Sequence, residues 1–191
     1  MMKYYFKFYF LLVLLCCFNF RVYCKSSEIL VVYDSKTGHT RLMAEAVANG
    51  ARKVSDVYVK IISVDKVTLN DAKLAQAIII GSPVYNANVT PDIQSFINSW
   101  PLDSMRDKLG AAFVSAGGIS AGQELTMLNI LHSMLIFRMI IVGGNTWHTP
   151  FGAAAVDNEA PFQSKQLEIA PQFLKQATDL GERVALTLKR V

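Results

Sequence analysis

Five short runs of β-branched and other apolar residues, each followed by polar or helical sequence, constrain this chain more than any other feature. Residues 29–33 (Ile-Leu-Val-Val-Tyr) are continuously apolar, the pattern of a strand buried on both faces. Over 40–54, Met43, Ala46, Val47, Ala51 and Val54 recur at helical spacing. Residues 57–64 read as a second strand, with Val57, Val59 and Ile61 alternating before a polar stretch at 68–71. Residues 77–81 form a third strand, and 91–100 a short helix that Thr90 caps and Pro91 opens. A fourth strand is expected at 111–115, a helix at 123–136 and a fifth strand at 139–142. Residues 164–190 close the chain as helix, bent or restarted at Pro171, which lacks an amide donor. Such alternation implies right-handed crossovers and a doubly wound parallel sheet, covered by helices on both faces. One α/β domain spanning 27–191 accounts for all of these elements.

Composition excludes several classes. Of 191 residues, 52% are apolar and 18% charged, so the chain is neither disordered nor collagen-like. The formal charge is +4, but Lys3, Lys7 and Arg21 lie in the first 24 residues, which hold no acid. The remainder has 16 basic and 15 acidic residues, too balanced for a nucleic-acid binder. Cys16, Cys17 and Cys24 are all in that leading segment, so the body has no disulfide, thiolate nucleophile or cysteine-bound metal. His39, His132 and His148 are dispersed, and no metal site is expected.

Lys3 and Lys7 precede an eleven-residue apolar run, 8–18, of a length that suits a signal-peptide core and is short for a bilayer span. Residues 1–24 are therefore expected to be a signal peptide cleaved after Cys24, which sends the domain to the secretory pathway or outside the cytoplasm. Two alternatives stand beside this: a retained signal anchor, which would be the chain's only membrane contact, and an upstream start that adds residues of no function.

In sheets of this kind, ligands bind beyond the carboxyl ends of the strands, where strand order reverses. After the first strand comes Ser35-Lys36-Thr37-Gly38-His39-Thr40, whose hydroxyls and amides at a helix N-terminus can surround a phosphate or can simply cap the helix. It is neither a Walker A loop nor a dinucleotide fingerprint, so one phosphate monoester fits better than a pyrophosphate. After the third strand comes Ser82-Pro83-Val84-Tyr85-Asn86-Ala87-Asn88, where Tyr85 offers a flat face for stacking or is an ordinary loop tyrosine. After the fourth comes Ala116-Gly117-Gly118-Ile119-Ser120-Ala121-Gly122, whose glycines allow close approach to a ligand or form a flexible connector.

In this order the three loops resemble the flavodoxin-like family, with strand order 2-1-3-4-5 and flavin mononucleotide (FMN) at the switch point. Gly81-Ser82-Pro83, Asn88 and Pro91, Ser115-Ala116-Gly117, Gly122-Gln123-Glu124 and Thr149-Pro150-Phe151-Gly152-Ala153 are further similar to WrbA-type NAD(P)H:quinone oxidoreductases. The chain departs from that pattern at Tyr85-Asn86-Ala87, where those enzymes carry Arg-Phe-Gly, and at Phe137-Arg138, near where they place a histidine.

The resemblance implies non-covalent FMN, NAD(P)H as electron donor, a quinone or similar small acceptor, and a homo-oligomer. Ser35, Lys36, Thr37, Gly38, His39 and Thr40 would surround the phosphate. Pro83, Val84, Tyr85, Asn86 and Asn88 would flank the ring, with Ser115, Ala116, Gly117 and Gly118 opposite. No side chain is expected to act as catalytic acid or nucleophile, because the flavin carries the redox chemistry. Trp147 and His148, in a stretch without a clear element, are expected to cover the flavin or to contact a neighbouring subunit. His132 is expected to be a structural residue of an apolar helix.

Two other readings compete on the residues. A flavodoxin-type electron carrier would present a strongly acidic face, which a nearly neutral body lacks. Gly118-Ile119-Ser120-Ala121-Gly122 matches a hydrolase nucleophile elbow, but a triad needs an acid and then a histidine. The last histidine, His148, precedes Asp157, so the order fails. Asn88-Val89-Thr90 is a glycosylation sequon, which Pro91 discourages.

Overall fold

The computed structural model describes residues 27–191. The leading segment, with its three cysteines and the expected cleavage position, lies outside the described residues. The elements run β1 (Ser27–Tyr33), α1 (His39–Ala51), β2 (Val57–Ser63), α2 (Leu69–Leu74), β3 (Ala77–Pro83), α3 (Pro91–Asn98), a 3-10 turn (Leu102–Ser104), β4 (Leu109–Ala116), α4 (Gln123–Ile136), β5 (Ile140–Ile141), β6 (Ala153–Val156) and α5 (Pro171–Leu188).

All strand pairs are parallel, in the order β2-β1-β3-β4-β5, the flavodoxin-like arrangement. The fifth position is divided. β5 pairs with Leu109 and Gly110, whereas β6 pairs with β4 from Phe113 to Ala116. Residues 142–152 interrupt what would otherwise be one edge strand. The expected featureless stretch at 143–162 thus contains β6, hidden in the sequence because three alanines carry little strand preference.

Strand alternation divides the core in two. Ile29, Val31 and Ile79 face α1 and α5, while Leu30, Val32, Ile78 and Ile80 face α3 and α4. β3 and β4 are buried along their whole length, as a central parallel strand must be. Between α1 and α5 the backbones meet directly. A Cβ on Gly181 would lie 1.9 Å from the Val47 carbonyl oxygen, and one on Gly50 the same distance from that of Thr178.

Three expectations need correction. The polar stretch at 68–71 opens a helix, because Thr68 accepts the Asp71 amide while the Asp71 carboxylate takes the Thr68 amide. The closing helix starts at Pro171, where a proline suits the first turn, and residues 164–170 are not helical. His132, expected as a structural residue of an apolar helix, stands exposed on the outer face of α4, with Leu125, Leu135 and Ile136.

Candidate functional site

The carboxyl ends of β1, β3 and β4 converge at one end of the sheet. Beyond β1, the Asp34 amide donates to the Gly81 carbonyl (3.1 Å), keeping β1 and β3 together for one more residue. The chain then turns into α1. Ser35 Oγ accepts from the amides of Gly38 (3.1 Å) and Arg41 (3.2 Å), folding the loop over the helix start. Gly38, at the N-cap, has φ +100°, a left-handed conformation open to glycine, and offers no side-chain cap. The amides of Lys36, Thr37, His39 and Thr40 consequently have no acceptor among the described residues. Such a cluster, reinforced by the helix dipole, attracts an anion.

Side chains of the same loop are fixed from several directions. Thr37 Oγ1 lies 3.0 Å from His39 Nδ1, and the same nitrogen is 3.4 Å from Asp157 Oδ2. Thr40 Oγ1 is 2.8 Å from Ser115 Oγ, in a buried pair, so the hydroxyl of Thr40 is used inside the protein. The Lys36 ammonium stands 5.8 Å from the centre of the Tyr85 ring.

After β3, the Val84 amide donates to the Ser115 carbonyl (2.8 Å), and the chain reverses at Asn86 and Ala87, both with positive φ. Tyr85 and Asn88 exchange amide-to-carbonyl bonds of 3.1 and 3.0 Å across this two-residue turn. Asn88 Oδ1 accepts from its neighbour's amide and from Asn129 Nδ2 (3.0 Å), tying the turn to α4.

The glycine-rich loop after β4 is held rather than slack. The Ala116 and Gly117 carbonyls accept the amides of Asp157 and Asn158, Gln123 Nε2 donates to the Gly118 carbonyl, and the Ile119 amide donates to Glu159 Oε2. The partners 157–159 follow directly on β6.

These loops enclose a cavity of about 500 Å³. Of the residues expected from sequence, Thr37, His39, Pro83, Val84, Tyr85, Ser115 and Gly117 line it. Ser35, Lys36, Gly38, Thr40, Asn86, Asn88, Ala116 and Gly118 stand behind that lining and shape the loops. The wall is completed by residues that sequence reasoning missed: Asp157, Asn158 and the segment from Ser164 to Leu167, whose leucine packs over Gly38. The available signal was position, since Asp157 and Asn158 follow a strand end, but β6 itself was not recognised. Burial pushes the Asp157 carboxyl above the usual carboxylate range, and His39 opposes that rise.

A second cavity, of about 570 Å³, lies beyond β6 between the insertion, α4 and α5. His148 borders it, while Trp147 is 81% exposed with its ring against that of His148. Neither residue borders the first cavity, so a cover over that cavity is not where the insertion lies. Among the described residues, no group of three or more His, Cys, Asp or Glu is placed to hold a metal ion.

Residues 27–154 match the family model described as NADPH-dependent FMN reductase. The chain belongs to this family. Within the flavodoxin-like superfamily it stands near the WrbA type, and its relatives carry two kinds of name. It is 30% identical over 165 residues to a flavodoxin of Clostridium saccharobutylicum, covering 86% of this chain and 99% of that protein. It is 28% identical over 201 residues to an NAD(P)H dehydrogenase (quinone) of Cupriavidus metallidurans, covering 86% and 98%. The fold is shared with a WrbA-like flavodoxin protein from Agrobacterium tumefaciens, with a TM-score of 0.70 and 24% identity over 86% of this chain and 99% of that one.

The family description brings FMN into question, and this chain's residues fit it. A phosphate requires donors without competing acceptors, which the four amides at the start of α1 provide. An isoalloxazine requires a flat apolar neighbour and a slot of ligand size. Tyr85 and Pro83 border a cavity within the range of about 300–1,000 Å³ typical of small-molecule sites.

Proposed function

We propose that this protein binds FMN non-covalently in the cavity at the ends of β1, β3 and β4, and works as an NAD(P)H-dependent oxidoreductase that delivers two electrons to a quinone or similar small acceptor. The observation that supports this most is the meeting, at one cavity, of Thr37 and His39 from the helix start with its unpaired amides, Tyr85 from the turn after β3 and Gly117 from the loop after β4. Bound FMN supplies the two-electron redox chemistry. The chain's own residues bind, orient and shelter. The amides of Lys36, Thr37, His39 and Thr40 would take the phosphate, with Ser35 and Gly38 holding the loop in shape. Pro83, Val84 and Tyr85 would support one side of the ring, and Ser115 and Gly117 the other. Asn86, Asn88, Ala116 and Gly118 would shape the loops that carry those two walls.

The name of the Clostridium relative supports a second reading, an electron carrier that docks on redox proteins. The near-neutral charge of residues 25–191 weighs against it, because charged faces steer such encounters. The test is optical. The purified protein should be yellow, with an FMN spectrum that bleaches on adding NAD(P)H without air. Reduction only through an added reductase protein would favour the carrier, and a colourless protein that takes up no FMN would end both readings.

The same proposal places the domain outside the cytoplasm or on a membrane, on the strength of the apolar run at 8–18 behind Lys3 and Lys7. N-terminal sequencing of the exported protein tests cleavage after Cys24. Self-association would use the outer face of α4, where Leu125, Leu135 and Ile136 are exposed and would leave water on pairing.

A further inference from the structure

Asp157 is an unusual wall for an anion site. Its side chain is 12% exposed, it sits at the end of β6, and its carboxylate is 3.4 Å from the imidazole of His39. His39 also supplies one of the four unpaired amides at the start of α1. A phosphate held on those amides would lie one imidazole away from a partly buried carboxylate. In a partly desolvated cavity two such negative groups repel far more strongly than in water. The repulsion is relieved when the pair takes up one proton, which brings its net charge from −1 to zero.

We propose that the His39–Asp157 pair makes retention of the FMN phosphate proton-linked, so that the cavity holds phosphorylated flavin more tightly as pH falls. This rests on the FMN reading above and adds to it a residue that sets ligand charge preference. Asp157 lies beyond residue 154, outside the stretch that matches the family model. Burial raises the Asp157 carboxyl above the usual carboxylate range, which favours its taking up a proton. Thr37 Oγ1, bonded to the same imidazole nitrogen, fixes the ring in place.

The other charged groups around the site are distributed as follows. Lys36 leans on Tyr85, Lys165 lines the cavity from the segment before α5, and Arg41 pairs with Glu45 along α1. Glu159 is engaged by the Ile119 amide, and Glu168 by Ser164 Oγ. Asp34 is buried at the end of β1. Among the described residues none of these is paired with His39, whose ion-pair partner is Asp157.

The experiment measures the dissociation constants of FMN and of riboflavin by fluorescence quenching from pH 5 to 8.5, in the full chain and in Asp157→Asn. The ligand phosphate titrates near pH 6 itself, so the quantity read is the ratio of the two proteins at each pH, in which that titration cancels. The expected result is that Asp157→Asn binds FMN about tenfold more tightly than the parent at pH 8, with the gap closing toward pH 5. Riboflavin, which has no phosphate, should bind the two proteins alike. Asp157→Ala, a second variant, should likewise bind FMN more tightly than the parent at pH 8, with the gap closing toward pH 5. FMN binding with an identical pH profile in parent and variants overturns the proton linkage and leaves the FMN reading standing. An equal change for riboflavin and FMN also overturns it, since the phosphate would not be the group sensed. Failure of the folded parent to bind either flavin at any pH overturns both.

Discussion

Thr40 Oγ1 and Ser115 Oγ lie 2.8 Å apart in the interior, joining the first turn of α1 to the end of β4 across 75 residues of sequence. The bond sets the spacing between the loop that would hold the phosphate and the loop that would flank the ring. Thr40→Val keeps the shape but leaves Ser115 with a buried hydroxyl lacking its partner. Stability should fall by about 1–3 kcal/mol in urea denaturation. The double variant with Ser115→Ala should lose less than the sum of the two single changes, because both ends of the bond go together. Additive losses would show that the two hydroxyls act separately.

The contact of α1 with α5 depends on two glycines facing opposite backbones. Gly181→Ala would drive a methyl to 1.9 Å from the Val47 carbonyl, where no flexible side chain can yield. The helices must separate, and a loss of about 1–3 kcal/mol is expected by thermal or urea unfolding. An alanine at 181 that leaves the melting temperature unchanged would refute the close approach.

Lys60 and Asp71 give a signature in acid. Asp71 is held below the usual carboxylate range by its bond to Lys60 (2.5 Å) and by the Thr68 amide and hydroxyl. A carboxyl lowered in the folded state stabilises it above the unfolded value, near 3.9, and that contribution is lost as pH falls through the folded value. Lys60 is raised by the same partner, so its share is present below about pH 10.4 and is lost as pH rises beyond. Asp71→Asn should lower stability at pH 7 by about 1 kcal/mol through the weakened helix cap. It should then lose less than the parent between pH 5 and pH 2. Parallel melting curves across that range would contradict the pairing.

Asn88 should remain unmodified even when the chain is made in a eukaryotic secretory pathway. The hydroxyl of Thr90, which a glycosylation sequon must present, is buried and accepts the Ile93 amide as the cap of α3. The Asn88 side chain is itself bonded to Asn129. Intact-mass and peptide analysis should find no glycan on that residue. A glycan found there would mean that the turn beside the cavity is not folded as described.

Legibility differed between strands for a physical reason. β1, β3 and β4 are central and covered on both faces, so their sequences are unbroken apolar runs that stand out without context. Gln123–Ile136 was legible as a helix for a different reason, a long stretch with no glycine or proline inside it. β6 was not, since an edge strand of three alanines and a valine is selected by its neighbour β4 rather than by its own preference. α2 escaped because six residues are too few for an apolar period to show, although the Thr68–Asp71 cap was present in the letters.

The loops after β1, β3 and β4 could be read as a ligand site because their chemistry is local: hydroxyls, glycines and a tyrosine placed at strand ends. The order of those strands was implied by the resemblance to the flavodoxin-like family, and the sheet has that order. The meeting of His39 with Asp157, of Thr40 with Ser115, and of Leu167 with Gly38 could not be read in the same way. Each joins segments more than 70 residues apart, and a contact of that span leaves no periodicity or motif in either partner. Only the packed sheet, with β6 set beside β4, brings Asp157 to the mouth of the first helix and gives the cavity its charge.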